Sequence, residues 1–488
     1  MSVASTVGIS IHLGRLCKIE LRRGRRQLSI TRSDVLEPQG TRQLATISPR
    51  PPSTTIINTL RTMVEEGLQL PIDIIHTIFD QLCDEKKSLA ACSLVCKAWE
   101  PASRSRLFCS IKTEEWKSSF LALERFFTAV PHLTSYISQL SLVGLTVFEL
   151  TDSSIEFVYG STLDVSLLAR ILTKLPALRR LYLIDLAYEG ILVPFPLAPR
   201  PSLDLLVFQN VPPLSHTNST LPELLGVIAL FSYIGRLTFI GDNAEVEHDA
   251  DGLAVDDYEI PGQVDIRGLE LKHISGKVLA AVTHAICKSS PLEFNRRLET
   301  FTVCIHDTYE CVDIIGNFLR SFRHSIKHVD FDPMVLYIRS DAEYDAWDKL
   351  HLSECSNLAS LTLSLELPSI ALRAYDAIER CFGAYKLILS QPLPSALEQV
   401  TLRFKPNPFI SSLQWVDMDH VLCRIPSLKS VVIDFRNPIR TPMRMGDGPT
   451  GVGAFAPLVA APGLRAKGIL GFRMDISDVY APLYNMPL

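Results

Sequence analysis

A six-residue pattern of apolar positions, apolar-x-x-apolar-x-apolar, recurs along the chain after residue 110. Successive copies begin 25 to 41 residues apart, and most intervals are 28 to 32 residues. Side chains of a strand point alternately to its two faces, so the last two apolar positions of each copy share a face. The pattern therefore predicts ten strands with one face in a core, at ISQLSL (137–142), LRRLYL (178–183), LDLLVF (203–208), IGRLTF (234–239), IRGLEL (266–271), LETFTV (298–303), IKHVDF (326–331), LASLTL (358–363), LEQVTL (397–402) and LKSVVI (428–433).

Helical patterns, with apolar residues three and four positions apart, lie between the predicted strands. A strand, a turn, a helix and a second turn fit into a unit of about 32 residues. Such a unit does not bury its own apolar face, and it therefore stacks on its neighbours in a solenoid. An ordinary α/β domain with parallel strands is the alternative, because periodicity alone does not separate the two. The clearest helical patterns are VSLLARILTKL (165–175), LPELLGVIALF (221–231), GKVLAAVTHAIC (276–287), CVDIIGNFLRSF (311–322) and VDMDHVLCRIP (416–426).

Residues 70–108 carry a different pattern, which predicts three short helices. The first begins at Leu70-Pro71, since proline suits the first turn of a helix. Its apolar residues from Ile75 to Leu82 recur at i, i+3, i+4 and i+7 and form one stripe. A polar turn separates it from two further helices with apolar residues of their own. So short a segment rarely buries enough apolar surface to fold alone, and we expect a module that docks onto a partner.

This segment resembles an F-box in three motifs: L-P-x-D-I at 70–74, I-F at 78–79 and S-L-V-C-K-x-W at 93–99. The ten-strand region resembles, in part, the divergent leucine-rich repeats that follow many fungal F-boxes. The asparagine or cysteine ladder of regular repeats is mostly absent, and Asn210 and Cys304 are isolated matches to it. The resemblance implies an α+α/β fold, with an N-terminal three-helix F-box followed by an irregular leucine-rich-repeat-like α/β solenoid.

The F-box resemblance implies a substrate-receptor subunit of a Skp–cullin–F-box E3 ubiquitin ligase. Such a subunit binds a Skp-type adaptor, and through it a cullin, while its repeats recruit an unknown protein substrate. Two alternatives stay open: an F-box protein that acts outside a cullin ligase, and a non-catalytic repeat scaffold whose first helices only cap the stack. The adaptor-binding residues that the resemblance implies are Leu70, Pro71, Ile74, Ile75, Ile78, Leu94, Val95, Cys96 and Trp99.

The strand face opposite the core is the expected target-binding surface. In a leucine-rich-type stack, the third, fifth and seventh positions of successive strands line one concave surface. Charges of both signs occur there, which suits a protein or peptide partner better than a nucleic-acid backbone. The expected target-binding residues are Arg180, Tyr182, Arg236, Glu270, Lys272, His328, Asp330, Asp332, Arg403 and Asp434.

Charge and cysteine usage narrow the class of protein further. The net charge is −5 over 488 residues, whereas a nucleic-acid-binding protein normally presents a basic face. No uninterrupted apolar run reaches the roughly 18 residues of a membrane span. The eleven cysteines are scattered and form no C-x-x-C pair, as expected for reduced thiols. We therefore expect a cytoplasmic or nuclear protein with no nucleic-acid partner and no membrane partner.

The predicted domain order follows from these segments. The N-terminal residues are rich in arginine and are expected to form a disordered tail, with a mitochondrial or nuclear targeting signal as the alternative. The order is a basic tail at 1–65, the F-box at 66–110, a helical linker at 111–136, the repeat solenoid at 137–435 and a Pro/Gly-rich segment at 436–488.

Motifs for metal, cofactor or catalytic chemistry are weak. Residues 241–260 carry eight acids and no Lys or Arg, which predicts a disordered loop. Some of these acids match a calcium loop, but Tyr258 stands where a bidentate Glu is needed. Gly446–Gly451 matches G-x-G-x-x-G, yet no predicted strand leads directly into it. No catalytic signature is present, so we expect no enzyme activity and no cofactor.

Overall fold

The computed structural model describes most of the segments that carry these patterns, and it divides into two compact units, Met1–Gln209 and Asn210–Leu488. A parallel β-sheet is the main element of each unit. The described residues are 9–12, 18–21, 28–31, 72–82, 85–94, 97, 99–115, 119–144, 146–150, 155–159, 161–190, 200–210, 220–241, 258–289, 297–305, 310–333, 347–365, 374–404, 413–436 and 461–475.

Three short helices in the first unit form the segment predicted as a docking module. They are α1 (Ile72–Gln81), α2 (Lys86–Cys92) and α3 (Glu100–Leu107). The predicted apolar stripe of α1 points inward and packs with apolar residues of the other two helices. The rings of Phe79 and Trp99 meet edge to face, with centroids 5.6 Å apart and an angle of 81° between their planes. The buried core consists of Ile75, Phe79, Leu82, Leu89, Cys92, Trp99, Ala102 and Leu107.

Polar contacts hold the three helices together. Arg106 of α3 donates from Nε to Oδ1 of Asp80 on α1 over 2.8 Å. The Lys86 ammonium, at the start of α2, donates to the backbone oxygen of Arg106 over 3.0 Å. These contacts close a small three-helix core whose described residues form no disulfide and no cluster of potential metal ligands.

Four parallel strands form the sheet of the first unit. The predicted linker at 111–136 begins with a strand instead of a helix, because Ile111 and Thr113 alternate into the core. Two short helices follow it, α4 (Phe120–Ala129) and α5 (Pro131–Thr134), and α6 (Val165–Thr173) comes later in the chain. The parallel strands, in spatial order, are β4 (Ser110–Glu114), β5 (Gln139–Val143), β9 (Arg180–Ile184) and β11 (Ser202–Gln209).

Smaller strand groups complete the first unit. Within the segment assigned to the basic tail, three strands pair as an antiparallel ribbon, which differs from the expected disorder; apolar and polar residues alternate in each strand. The ribbon strands are β1 (Ile9–His12), β2 (Lys18–Leu21) and β3 (Leu28–Thr31). The others are the antiparallel pair β6 (Thr146–Leu150) and β7 (Ile155–Tyr159), and the parallel pair β8 (Thr162–Asp164) and β10 (Ala187–Glu189).

The second unit contains a longer parallel sheet in which the strands of the main ladder follow one another in chain order. Strand β13 (Asp265–Ile266) pairs with the first strand of this ladder. The ladder strands are β12 (Tyr233–Ile240), β14 (Gly268–Ile274), β15 (Thr300–Ile305), β16 (His328–Pro333), β17 (Ser360–Leu365), β18 (Gln399–Phe404), β19 (Ser430–Arg436) and β20 (Leu470–Asp475).

Helices between these strands cover the apolar face of the sheet. The ring of Phe301 on β15 lies 4.9 Å from that of Phe318, and the ring of Phe404 on β18 lies 5.7 Å from that of Trp415. Asp419 accepts hydrogen bonds from the backbone N–H groups of Gly463 and Leu464, each over 2.8 Å, and so holds the last short helix. The helices are α7 (Thr220–Ala229), α8 (Gly276–Ser289), α9 (Glu310–Ser321), α10 (Ala374–Ser390), α11 (Trp415–Cys423) and α12 (Pro462–Ala466), with a 3-10 turn at Leu352–Glu354.

The ten predicted strands coincide with strands of the two sheets. In all ten copies of the pattern, the last two apolar residues are buried, as in Leu361 and Leu363 of β17. The intervening residue Thr362 lies on the opposite face and is half-buried. One face of each sheet is therefore apolar and faces the helices, and the other face is mainly polar.

A backbone turn follows several strands at matching positions, and we call it the strand-end turn. Asp185, Asn210 and His273 adopt left-handed φ angles there, of 55°, 54° and 53°. On the adjacent strand, the residue beside two of these turns is glycine. A Cβ on Gly144 would lie 2.0 Å from the backbone oxygen of Asp185, and a Cβ on Gly241 would lie 1.9 Å from that of His273, so a larger residue would clash. Asn210 thus shares its backbone conformation with Asp185 and His273.

The acidic segment is anchored at both ends. Gly241 donates its backbone N–H to the oxygen of Lys272 over 2.8 Å. Ile260 is buried and donates its N–H to Oγ of Ser289 over 2.9 Å. The expected loop at 241–260 is therefore packed at its two ends, and residues 242–257 lie outside the described residues.

Two further expectations concern the G-x-G-x-x-G match and membrane-spanning segments. Gly446–Gly451 falls outside the described residues. The described helices include none with the length and apolar composition needed to cross a membrane.

Candidate functional site

The F-box segment and the polar face of the second sheet are the two candidate binding surfaces. Of the residues implied to bind an adaptor, Leu70, Pro71, Val95 and Cys96 lie outside the described residues, as does the side chain of Ile74. The others occupy three different environments.

Ile75 and Trp99 belong to the core of the three-helix segment and do not lie on its surface. Ile75 is 4% exposed and Trp99 is 3% exposed, and the Trp99 ring packs against Phe79. Both side chains are therefore core residues of this segment, and their contact with an adaptor stays a prediction. They are buried because large apolar residues in so small a module are needed to fill its own core. Ile78 is half-buried at the edge of that core.

Leu94 is the one described adaptor candidate whose side chain faces solvent. It is 86% exposed, whereas the other large apolar side chains that the structure describes as exposed reach at most 51%. It follows the end of α2, where its backbone N–H bonds to the oxygen of Ala91 over 3.0 Å. The turn thus holds a leucine outward beside a closed core, an arrangement that leaves an apolar anchor for a partner.

A comparison with known protein families identifies the same three-helix segment. A family model described as F-box-like matches residues 68–109, so this segment is an F-box-like domain near the N-terminus. Domains of this family generally bind Skp-type adaptors, and the match supports an adaptor-binding, protein–protein interaction role for the segment. The chain has no significant similarity to any curated protein.

The second candidate surface is a polar groove of about 410 Å³ on the sheet of the second unit, and we call it the sheet groove. It crosses the strands from β12 to β18 on the face away from the helices. Its volume lies in the range of small-molecule sites, although its lining is more polar than usual. Seven of the expected target-binding residues line it: Arg236, Glu270, Lys272, His328, Asp330, Asp332 and Arg403.

The remaining target-binding candidates lie elsewhere or are buried. Arg180 and Tyr182 belong to β9 of the first unit, where Arg180 is exposed and Tyr182 is half-buried. Asp434 is fully buried, and Asp332 at the floor of the groove is 4% exposed. Neither carboxylate is exposed as the alternation of the strands predicted, and their contact with a target stays a prediction.

Arg403 organises the acidic end of the sheet groove. Its guanidinium donates from Nε to Asp434 over 3.2 Å and from Nη1 to Ser364 Oγ over 3.0 Å. It also forms a short ion pair with Asp330. Although burial lowers the pKa of Arg403, the charges and hydrogen bonds of Asp330 and Asp434 outweigh it and raise that pKa. The guanidinium is therefore fixed as a cation.

Tyr385 closes the floor at this end from the helix side. It is fully buried, and its hydroxyl donates to the backbone oxygen of Ser364 over 2.6 Å. Burial, and then the negative charges of Asp332 and other nearby groups, raise the pKa of Tyr385 well above its ordinary value. The phenol stays protonated and acts as a hydrogen-bond donor.

Glu270 occupies the other end of the groove. It accepts hydrogen bonds from Lys272 and from Thr238, with the Lys272 pair at 2.6 Å and the Thr238 pair at 3.0 Å. Burial raises its pKa, but these contacts and the charge of Arg236 outweigh that effect and hold the pKa below its ordinary value. This carboxylate is therefore ionised in the groove.

The groove also contains hydroxyl side chains that sequence reasoning passed over. They include Thr302, Thr362 and Ser364, which occupy the same alternating strand positions as the charged candidates. The strand pattern predicts that these hydroxyl residues lie on the polar face, but they are not among the expected target-binding residues. Among the described residues, no group of three or more metal-ligating side chains comes together.

Proposed function

We propose that the protein is the substrate-receptor subunit of a Skp–cullin–F-box ubiquitin ligase. The exposed side chain of Leu94, beside the closed core of an F-box-like domain, is the observation that carries this proposal. A leucine held in water gains about 2 kcal/mol when a partner covers it. The Skp-type adaptor is the partner that this domain class implies, and a cullin would join through it.

The target would bind to the repeats. Chain-ordered parallel strands with connecting helices, together with the strand-end turn, support a leucine-rich-repeat-like solenoid with one strand in each repeat. The polar face of such a stack is free of helices and is suited to a protein partner. The sheet groove would then hold part of the target.

The chain itself would perform no chemistry. It would bring the target close to a ubiquitin-conjugating enzyme on the same complex, which raises the effective concentration of the acceptor lysine. We place this function in the cytoplasm or nucleus, where reduced cysteines are expected.

Binding to a purified Skp-type adaptor tests the proposal. We expect Leu94→Ala to weaken binding at least about tenfold, equivalent to about 1.4 kcal/mol, with unchanged thermal stability. Leu121→Ala is the matched control, since Leu121 on α4 is also an exposed leucine, at 41%. Equal adaptor binding by the parent and the Leu94 variant would contradict the proposed docking surface.

Purification of the complex from cells separates the ligase from the alternatives. Recovery of a cullin with the adaptor supports a ligase subunit. Recovery of the adaptor without a cullin indicates an F-box protein that acts outside the ligase. Absence of any adaptor leaves a repeat scaffold whose first helices only cap the stack.

A further inference from the structure

The two ends of the sheet groove carry opposite formal charge. Arg236, Lys272 and Glu270 at the β12–β14 end sum to +1. Asp330 and Asp332 with Arg403 at the β16–β18 end sum to −1. The groove therefore has a cationic end and an anionic end, separated by hydroxyl side chains.

The cationic end has a side chain available to a partner. Arg236 is exposed and forms no ion pair or hydrogen bond with any residue that the structure describes, although its charge acts on Glu270. Lys272, by contrast, is held by Glu270 at 2.6 Å. An acidic side chain of a partner would therefore meet Arg236 first.

The anionic end has more carboxylates than cations among the residues that line it. Arg403 supplies one positive charge to Asp330 and Asp434, and Asp332 lies near them at the floor. Asp330 remains partly accessible, with 24% of its side chain exposed. A basic side chain of a partner would oppose the negative formal charge of this end, and complementary charges of this kind favour specificity.

Strand register fixes the distance between the ends. Thr238 pairs with Glu270, Glu270 with Thr302, and Thr302 with Asp330. Three strand spacings of about 4.8 Å separate β12 from β16, and Arg236 lies two residues before Thr238, the residue in register with Asp330, so the Cα atoms of Arg236 and Asp330 are about 16 Å apart. An extended peptide advances about 3.4 Å per residue and places every second side chain on the same face, so a spacing of four residues comes closest to this distance.

We propose that the sheet groove binds an extended segment of the target, laid across the strands, in which an acidic and a basic side chain are four residues apart. The acidic side chain pairs with Arg236 and the basic one with Asp330. Hydroxyl groups such as that of Thr302 bond to the peptide backbone between them. This inference rests on the proposed role of the repeats in target recognition.

Fluorescent peptides of about twelve residues provide the probe. Each contains one Glu and one Lys in a Gly/Ser background, with the Lys two, four or six residues from the Glu, and Glu-only and Lys-only peptides complete the set. Fluorescence polarisation with the full-length protein at low salt measures their affinities. We expect the spacing of four to bind at least about fivefold more tightly than the other two spacings and than either single-charge peptide.

Charge reversal at Arg236 tests the assignment of the ends. Arg236→Glu should remove the preference for the Glu/Lys peptide and improve binding of a peptide with Lys at both positions. Lys277→Glu, on α8, makes the same change of net charge at an exposed site and should leave the preference intact. The inference is overturned if the affinity does not depend on the spacing of Glu and Lys, or if both variants change affinity equally according to their net charge. It is also overturned if none of the peptides binds.

Adaptor binding separates this inference from the proposed function. Arg236→Glu should bind the Skp-type adaptor as the parent does, because Arg236 belongs to the second unit and the docking surface to the first. A parent protein that binds the adaptor but shows no spacing preference among the peptides overturns the groove assignment alone. A parent protein that shows the preference but does not bind the adaptor contradicts the ligase proposal and supports the groove assignment.

Discussion

Arg403 on β18 forms an ion pair with Asp330 on β16, although β17 lies between the two strands. The same guanidinium donates a hydrogen bond to Ser364 on the intervening strand β17 and another to Asp434 on β19. One side chain thus joins four consecutive strands. In stacked repeats, stability comes mainly from contacts between nearest neighbours, so this residue adds a connection of longer range.

Removal of this guanidinium should destabilise the second unit strongly. Arg403→Ala leaves Asp434 buried without its cation, and breaking a buried ion pair in this way costs about 3 to 5 kcal/mol. Arg403→Lys should recover little, because an ammonium does not reproduce the planar fork of donors. Denaturant unfolding, monitored by circular dichroism, measures the change in the free energy of unfolding.

Arg473→Ala is the matched control for this prediction. Arg473 lies on β20, pairs in register with Asp434 and is exposed. Exposed substitutions usually change stability by less than about 0.5 kcal/mol. Equal stability of the Arg403 and Arg473 variants would show that the network contributes nothing to the fold.

Trp99 should act on stability and not directly on adaptor binding. Trp99→Ala removes a buried ring that packs on Phe79, and such changes cost about 3 to 5 kcal/mol. We expect the three-helix segment to lose hydrogen-exchange protection and to lose adaptor binding as a result. Leu94→Ala should instead lose binding with protection unchanged. A Trp99 variant that stays fully protected while losing the adaptor would place the ring in the interface.

Glu270 should make the second unit sensitive to acid. Its folded-state pKa lies below the ordinary value of 4.5, so the folded protein binds fewer protons there than the unfolded chain. The stabilisation is complete above pH 4.5 and is lost as the pH falls through the folded-state pKa. Urea unfolding of the parent and of Glu270→Gln, from about pH 7 to pH 3, measures this dependence.

The Glu270→Gln variant should be less stable than the parent near neutral pH, and the difference should shrink as the pH falls. The reason is that a protonated carboxyl group and a glutamine amide are both uncharged. A constant difference in unfolding free energy at every pH would assign the effect to packing and not to ionisation.

The acidic segment should tolerate replacement only between its anchors. Exchanging residues 243–256 for a short Gly/Ser linker should change the melting temperature by only a few degrees, since loop entropy varies slowly with length. Extending the exchange to 241–260 removes the close turn at Gly241 and the buried side chain of Ile260. We expect this longer exchange to lower the melting temperature clearly more than the shorter one in the same thermal scan.

The apolar pattern predicted ten strands correctly and missed two strands of the same sheets. In β4 the last position of the pattern holds Thr113, which is buried although it is not apolar. Before β20 the first position holds Lys467, whose ammonium donates to the backbone oxygen of Cys423 over 2.7 Å. Both strands form because pairing with a neighbouring strand compensates for one mismatched side chain.

The sequence predicts on which face of a strand each candidate residue lies, but it does not predict whether the side chain is buried or exposed. Strand alternation places Asp434 and Arg236 on the same kind of face, yet one is buried and the other exposed. The difference depends on Arg403, which reaches from an adjacent strand and makes burial of a carboxylate possible. In the F-box segment, Leu94 and Trp99 are both large apolar residues, and only the three-dimensional packing distinguishes an anchor from a core residue.

The strand-end turn lets connecting segments of different length follow strands that share one register. Gly241 holds its backbone bond to Lys272 while a long acidic insertion begins at the next residue. The ladder after the insertion keeps its register through Glu270 and Thr302. Connecting segments of different length are thus accommodated in the return path between strands, while the register of the strands is kept.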